Sequence, residues 1–253
     1  MNYGRKVLLA RFALIVGAIA LLELLCRTGV INPLTLLAPS AMAAAMVQVI
    51  ASGQVTSDII RTFSTVAIAF AASVVVGIAA GALLHAIPRL RRAMDPLLAS
   101  YYAMPFFVFY PVLVAFFGLN AMPLIAIGFA AAMVAMLIST LNGLDRVPPV
   151  MLKVARMHRL GRLRTLFLVV VPAAAPSLMT GTKLALAYAF ISIIAGEFIL
   201  SGKGLGYQIA YAYNSFDNRT MYGLMLFVLL VVTVMNSLLH VWEQRLLRRR
   251  SRA

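Results

Sequence analysis

The chain has 253 residues, of which 63% are hydrophobic and 11% charged. A soluble domain carries about a quarter charged residues, so a single water-surrounded core is excluded and a bilayer is the solvent that fits. Lys and Arg number 22 against 7 Asp and Glu, a formal net charge of +15; the cations sit in short clusters between apolar runs, a pattern of membrane topology rather than of nucleic-acid binding, which is set aside.

A spanning helix needs about 20 mostly apolar residues. The first candidate covers residues 8–26, with Arg11 near its start and Glu23 near its end. Its basic approach, Met1 to Lys6, imitates a signal peptide, but no small-residue cleavage site follows Leu25, so an uncleaved helix is expected. Cys26, the sole cysteine, has no disulfide partner in the chain and reads as a small packed residue. Glu23 and Arg27 are spaced i,i+4 for a local ion pair. Residues 28–60 hold Pro33, Pro39 and then an apolar segment from Ala41 to Ile50, expected as a surface helix at the interface. The second span, 63–86, carries Gly77 and Gly81 at a spacing that suits close helix contact.

From Pro96 to Leu144 there is no charge. That run suits two helices, 98–117 and 121–141, turned by Gly118-Leu119-Asn120, with Ala126 and Ala130 as small packing residues in the second. Met104-Pro105 and Pro111 predict a break in the third span, where freed carbonyls would face a solute pathway. The fifth span, 175–200, contains Lys183, expected to snorkel, and Glu197 near the far end, about 21 Å away along a helix and out of pairing range. Glu197 reads either as a substrate contact or outer-gate residue or, at least equally, as a hydrogen-bonded structural carboxylate. Residues 201–220 carry Gly202, Gly204 and Gly206, then Tyr207, Tyr211, Tyr213 and Phe216, aromatics typical of an interface. The sixth span covers 221–242. Runs this long and uniform exclude barrel strands. The predicted fold class is therefore all-α, a polytopic membrane protein with about six transmembrane helices. It divides into an N-terminal helix and outer segment (1–60) and a transmembrane core (61–253).

Threading six spans with the N-terminus inside places seventeen cations on the inner side: Arg5, Lys6, Arg11, Arg89, Arg91, Arg92, six in the loop between spans four and five, and Arg245, Arg248, Arg249, Arg250 and Arg252. Only Arg27, Arg61, Lys203 and Arg219 fall outside. The positive-inside rule selects this orientation, with both termini cytoplasmic.

The loop itself, about 142–171, is the longest inner segment. Pro148-Pro149 starts a helix, expected over 150–168, in which Lys153, Arg156, Arg159 and Arg162 recur every third residue and so drift around the axis. Pro172 and Pro176 are expected to break or kink the approach to span five. The segment reads either as a basic loop on anionic headgroups or as a docking helix for a cytoplasmic partner. Pro172, anchored without gaps, gives Lys153-Val154-Ala155, then Arg159, Val169 and Val171-Pro172. This resembles the cytoplasmic motif of ATP-binding cassette importer permeases, Glu-Ala-Ala, three residues, Gly, nine residues, Ile, one residue, Leu-Pro. Lys153 stands where that motif has an acid and Arg159 where it has glycine, with Gly161 close by. Pro39-Ser40, Met104-Pro105, Pro172 to Pro176, Thr180-Gly181-Thr182-Lys183, Gly196-Glu197 and Gly204-Leu205-Gly206-Tyr207 are similar to the nitrate/sulfonate/taurine branch of these permeases.

That resemblance implies a type I importer fold and a pair of permease subunits, as a homodimer, in the bacterial inner membrane. It also implies a periplasmic binding protein that delivers a small, anionic solute and a separate cytoplasmic ATPase that binds the ATP, so that the chain itself holds no cofactor. The coupling residues would be Lys153, Val154, Ala155, Arg156, Arg159, Gly161 and Pro172, within 150–164 and its exit. Met104, Pro105, Glu197, Gly204, Gly206 and Tyr207 are the pathway or gate candidates. No phosphate-binding Gly-x-x-x-x-Gly-Lys-Ser/Thr loop occurs, and no catalytic or metal-ligand cluster is legible; His85, His158 and His240 are scattered and read as interfacial or structural. The competing readings are a secondary transporter or channel without an ATPase, for which no internal repeat is found, and a membrane enzyme.

Overall fold

The computed structural model describes residues 2–32, 35–101 and 104–250, and every regular element among them is a helix. In chain order these are α1 (Asn2–Arg27), α2 (Pro39–Ala51), α3 (Thr56–Ala86), α4 (Pro88–Ser100), a 3-10 turn (Phe106–Phe109), α5 (Tyr110–Phe117), α6 (Met122–Asp145), α7 (Pro149–Met157), α8 (Arg162–Thr165), a π turn (Leu166–Val170), α9 (Val171–Leu200), α10 (Leu205–Asn214) and α11 (Asn218–Arg250). Among the described residues, four stretches are long and apolar enough to cross a bilayer: Thr56–Ala86, Met122–Asp145, Arg162–Leu200 and Asn218–Arg245.

Helix α6 is the hub, packed along both α3 and α9. In lipid, apolar side chains gain little by leaving the solvent, so helices associate where small residues let backbones approach. The expected glycines do this. A Cβ on Gly77 would stand 2.7 Å from the Met136 Cβ, and one on Gly81 would stand 2.7 Å from the Thr140 Cβ. On the α9 side, Gly181 meets Ser139 and Gly128 meets Ile193 in the same way. Val66, Ala69, Ala132, Met136, Ala185, Ala189 and Ile193 fill the contact. Ala126 and Ala130 are only half-buried; the small residues used on α6 are Ala131, Ala132 and Ala135.

The break expected in the third span forms at Met104-Pro105: the run 98–117 is two pieces, α4 and α5, joined through the 3-10 turn, while Pro111 sits in the first turn of α5 and breaks nothing. α4 sits at one end, where Met94 and Leu98 pack on Leu84, Leu137 and Leu141. At the other end the Tyr110 hydroxyl donates to the Leu200 carbonyl at 2.8 Å. The helix expected over 150–168 ends at Met157 and restarts at Arg162. Conversely, Pro172 and Pro176 do not stop the helix: the widened π turn at Leu166–Val170 precedes Pro172, and Pro176 is carried inside α9. A π turn changes the bonding partners just where the proline nitrogen has no proton to give. Helix α2 forms over the segment where a surface helix was expected, and one side of it packs on α11, where a Cβ on Gly223 would lie 2.9 Å from the Met46 nitrogen.

Candidate functional site

The candidate residues gather mainly at the two ends of the bundle. At the arginine-rich end, α7 ends in a Schellman turn. The Leu160 N–H donates to the Ala155 carbonyl at 3.0 Å and the Arg159 N–H to the Arg156 carbonyl at 2.9 Å. Arg159 itself takes φ +53°, the left-handed region that favours glycine. This is the residue that stands where the resembling motif has glycine. Ala155 is buried, at 2% exposure, and anchors α7 over an open cavity of about 490 Å³, lined by Val150, Met151, Leu160, Leu168 and Pro172 among others. Lys153, Val154, Arg156, Arg159 and Gly161 are exposed. Of the residues singled out in this loop, Ala155 is the buried anchor and the cations point to solvent.

The loop is tied to the bundle by polar contacts that the sequence reading passed over. Both Asp145 oxygens accept from Arg91, at 2.8 and 2.7 Å, and Oδ1 lies 3.0 Å from the His85 Nδ1. The carboxylate raises the Arg91 guanidinium above its ordinary range. Lys183, expected to snorkel, instead pairs with Glu243 of α11, and the His240 Nδ1 lies 3.3 Å from the same carboxylate. The signal was the Glu243 carboxyl just past the uncharged run, one residue beyond the expected end of the last span.

At the opposite end, Glu197 is enclosed, at 1% exposure. Its oxygens lie 2.8 Å from the Thr62 hydroxyl, and Oε2 accepts the Gly206 N–H at 3.0 Å. The same Thr62 oxygen accepts the Leu205 N–H at 2.9 Å, while Asp58 accepts the Gly204 N–H at 2.7 Å and the Gln208 side-chain amide at 2.8 Å. Two carboxyl groups and a hydroxyl thus satisfy the first donors of α10, which a helix start leaves unpaired. Gly204 has φ +107°, and a Cβ there would fall 2.3 Å from the Glu197 carboxyl. Gly206 passes equally close to the Ile194 carbonyl, at 2.3 Å from a Cβ. Glu197, Gly204 and Gly206 are therefore brought together as one clasp; Tyr207 is half-buried beside it and stacks toward Tyr211 at 6.1 Å. Asp58 and Thr62, spaced i,i+4, are the clasp residues the sequence reading missed.

Met104 and Pro105 lie apart from the clasp, exposed at the break between α4 and the 3-10 turn. The Glu23–Arg27 pair forms, at 2.6 Å, and Glu23 also accepts from the Ser40 hydroxyl and N–H, tying α1 to the start of α2. Among the described residues, no cluster of His, Cys, Asp or Glu is arranged to hold a metal ion.

The architecture is that of an all-helical polytopic membrane protein with a basic loop carried on an over-long helix. The chain belongs to the family of binding-protein-dependent transport system inner membrane components, whose profile matches residues 73–252. It is 29% identical over 181 residues to the nitrate import permease protein NrtB of Leptolyngbya laminosa, covering 72% of this chain and 65% of that one. It is 26% identical to the taurine transport system permease protein TauC of Escherichia coli, covering 60% of this chain and 55% of that one. The matched stretch thus spans between about half and two thirds of the curated relatives' length. In fold it is similar to a chain of the MetNI methionine ABC transporter in an inward-facing conformation, with a TM-score of 0.66 at 17% identity, covering 76% of this chain and 95% of that one.

Proposed function

We propose that this chain is the membrane-spanning subunit of an ATP-driven importer, that it works as a pair of copies, and that it forms the pathway for a small anionic solute of the nitrate or sulfonate kind handed over by a binding protein outside. The observation that carries this reading is the loop at the arginine-rich end. It is a short, capped helix whose apolar and cationic side chains face solvent, mounted on the same helix that crosses the bilayer. Motion applied to α7 by a cytoplasmic ATPase reaches α9 through the groove contacts with Leu168, Val169 and Pro172, and α6 through Asp145. The relatives named for nitrate and taurine import supply the solute class.

In this reading the arginine-rich end and both termini are cytoplasmic, ATP is bound by the partner, and the break at Met104-Pro105 lies along the route. The clasp around Glu197 acts by holding the outer turn in place. A second copy, or lipid, covers the exposed Val112, Phe116 and Phe117 of α5. The test is reconstitution in proteoliposomes with the ATPase of its own complex and with the binding protein. ATP-dependent uptake of radiolabelled taurine or of nitrate is expected; uptake that proceeds without ATP would return the chain to the carrier class.

A further inference from the structure

We infer that the surface formed by α7 and α8 fits a partner groove that is apolar at its floor and rimmed by carboxylates, so that the cognate ATPase is recognised by acid on its own side and base on this one. The inference rests on the proposal that an ATPase docks at this loop, and names the chemistry of the surface that receives it.

Between Asp145 and Glu197 the sequence contains no acidic residue. Arg146, Lys153, Arg156, Arg159, Arg162 and Arg164 are all exposed, and none makes an ion pair among the described residues. Beside them runs an apolar ridge. Val150, Val154 and Met157 share one face of α7 at i, i+4 and i+7 and are 67%, 47% and 82% exposed. Lys153 and Arg156 flank that ridge on one side, and the apolar cavity lies on the other. The arrangement is preformed: Ala155 is buried, and the Schellman bonds at Arg159 fix where α7 ends. A rigid ridge with unpaired cations along one edge is complementary to an apolar furrow edged with acid, and such complementarity governs which partner is accepted.

Anionic lipid headgroups would satisfy the charge but not the position. The helical run Arg162–Leu200 has 39 residues. At 1.5 Å per residue it is about 58 Å long, against about 30 Å of hydrocarbon. With Glu197 at the far end, the surplus lies on the loop side. That stands Arg162 and Arg164 about 20 Å beyond the hydrocarbon edge, past the headgroups, so the surface presents itself to a soluble protein.

The experiment uses the complex purified from native membranes into nanodiscs of neutral lipid, its ATPase identified and then added back at known concentration. ATPase association is expected to weaken steadily with salt and to fall about ten-fold or more in the double variant Lys153→Glu, Arg156→Glu. The neutral pair Lys153→Gln, Arg156→Gln should lose less. Monodisperse insertion of each variant controls for folding, and Lys substitutions at the acidic groove residues of the ATPase should restore binding to the reversed permease. Association indifferent to salt and to both double variants would overturn the inference while leaving the importer reading intact. A wild-type complex that holds no ATPase would overturn that reading itself. Loss of binding to phosphatidylglycerol vesicles, with ATPase association unchanged, would assign the cations to lipid and also overturn the inference.

Discussion

Arg159 shows what a single residue reveals only in three dimensions. Its place in the sequence marks a departure from a motif, with an arginine where glycine is the rule. The backbone nevertheless keeps the glycine conformation, φ +53°, because the Leu160 and Arg159 N–H groups need the Ala155 and Arg156 carbonyls to finish α7. A non-glycine residue in that region carries a cost of about 1 kcal/mol. Arg159→Gly is therefore expected to raise the thermal midpoint of the detergent-solubilised protein slightly while weakening ATPase association through the lost charge. Circular-dichroism melting beside a pull-down separates the two effects. A variant that gained nothing in stability would show that the arginine side chain makes compensating contacts.

At the scale of elements, the bundle was legible where chemistry is local. Gly77 and Gly81 announced the α3 contact, and Pro105 announced the break between α4 and α5. What was not legible depended on partners far along the chain. The clasp joins Asp58 and Thr62 of α3 to Glu197 and to the α10 start, separations of more than 130 residues, and no short-range pattern encodes them. For the same reason Lys183 read as a solitary cation until α11 brought Glu243 to it. The end of the loop helix was hidden by the opposite circumstance: Arg159 gave no glycine signal at the position where the helix stops. The clasp predicts its own sensitivity. Thr62 is fully buried, and its hydroxyl both donates to Glu197 and accepts from Leu205. Thr62→Val keeps the shape and leaves the Leu205 N–H and one carboxylate oxygen without that partner, at a cost of about 1–3 kcal/mol. The expected result is a lower melting midpoint and faster hydrogen exchange at the α10 start, with exchange in α7 unchanged. Uniform acceleration across both ends would show that the effect is global rather than seated at the turn.

At the scale of the whole molecule, composition alone implied a bilayer, and the distribution of arginines implied an orientation; the structure adds that each polar cluster belongs to one end only. His85, Asp145, α7 and Glu243 lie at one end, and Thr62, Glu197, Gly204 and Tyr110 at the other, with α3, α6, α9 and α11 running between them. Two strongly exposed hydrophobic residues, one toward each end, make this testable. Met157 is 82% exposed at the tip of α7 and Phe216 is 90% exposed just after α10. Cys26 is the only native cysteine, so Cys26→Ala provides a clean background. In right-side-out vesicles a membrane-impermeant maleimide should modify Phe216→Cys and spare Met157→Cys, and in inverted vesicles the pattern should reverse. The hydrocarbon between the two positions keeps them on opposite faces, because a charged reagent crosses it far too slowly to reach both sites from one side; the positive-inside rule assigns Met157 to the inner face. Labelling of both cysteines from the same face would require α9 to turn back within the bilayer, and its 30 residues form one continuous helix that leaves no place for such a turn.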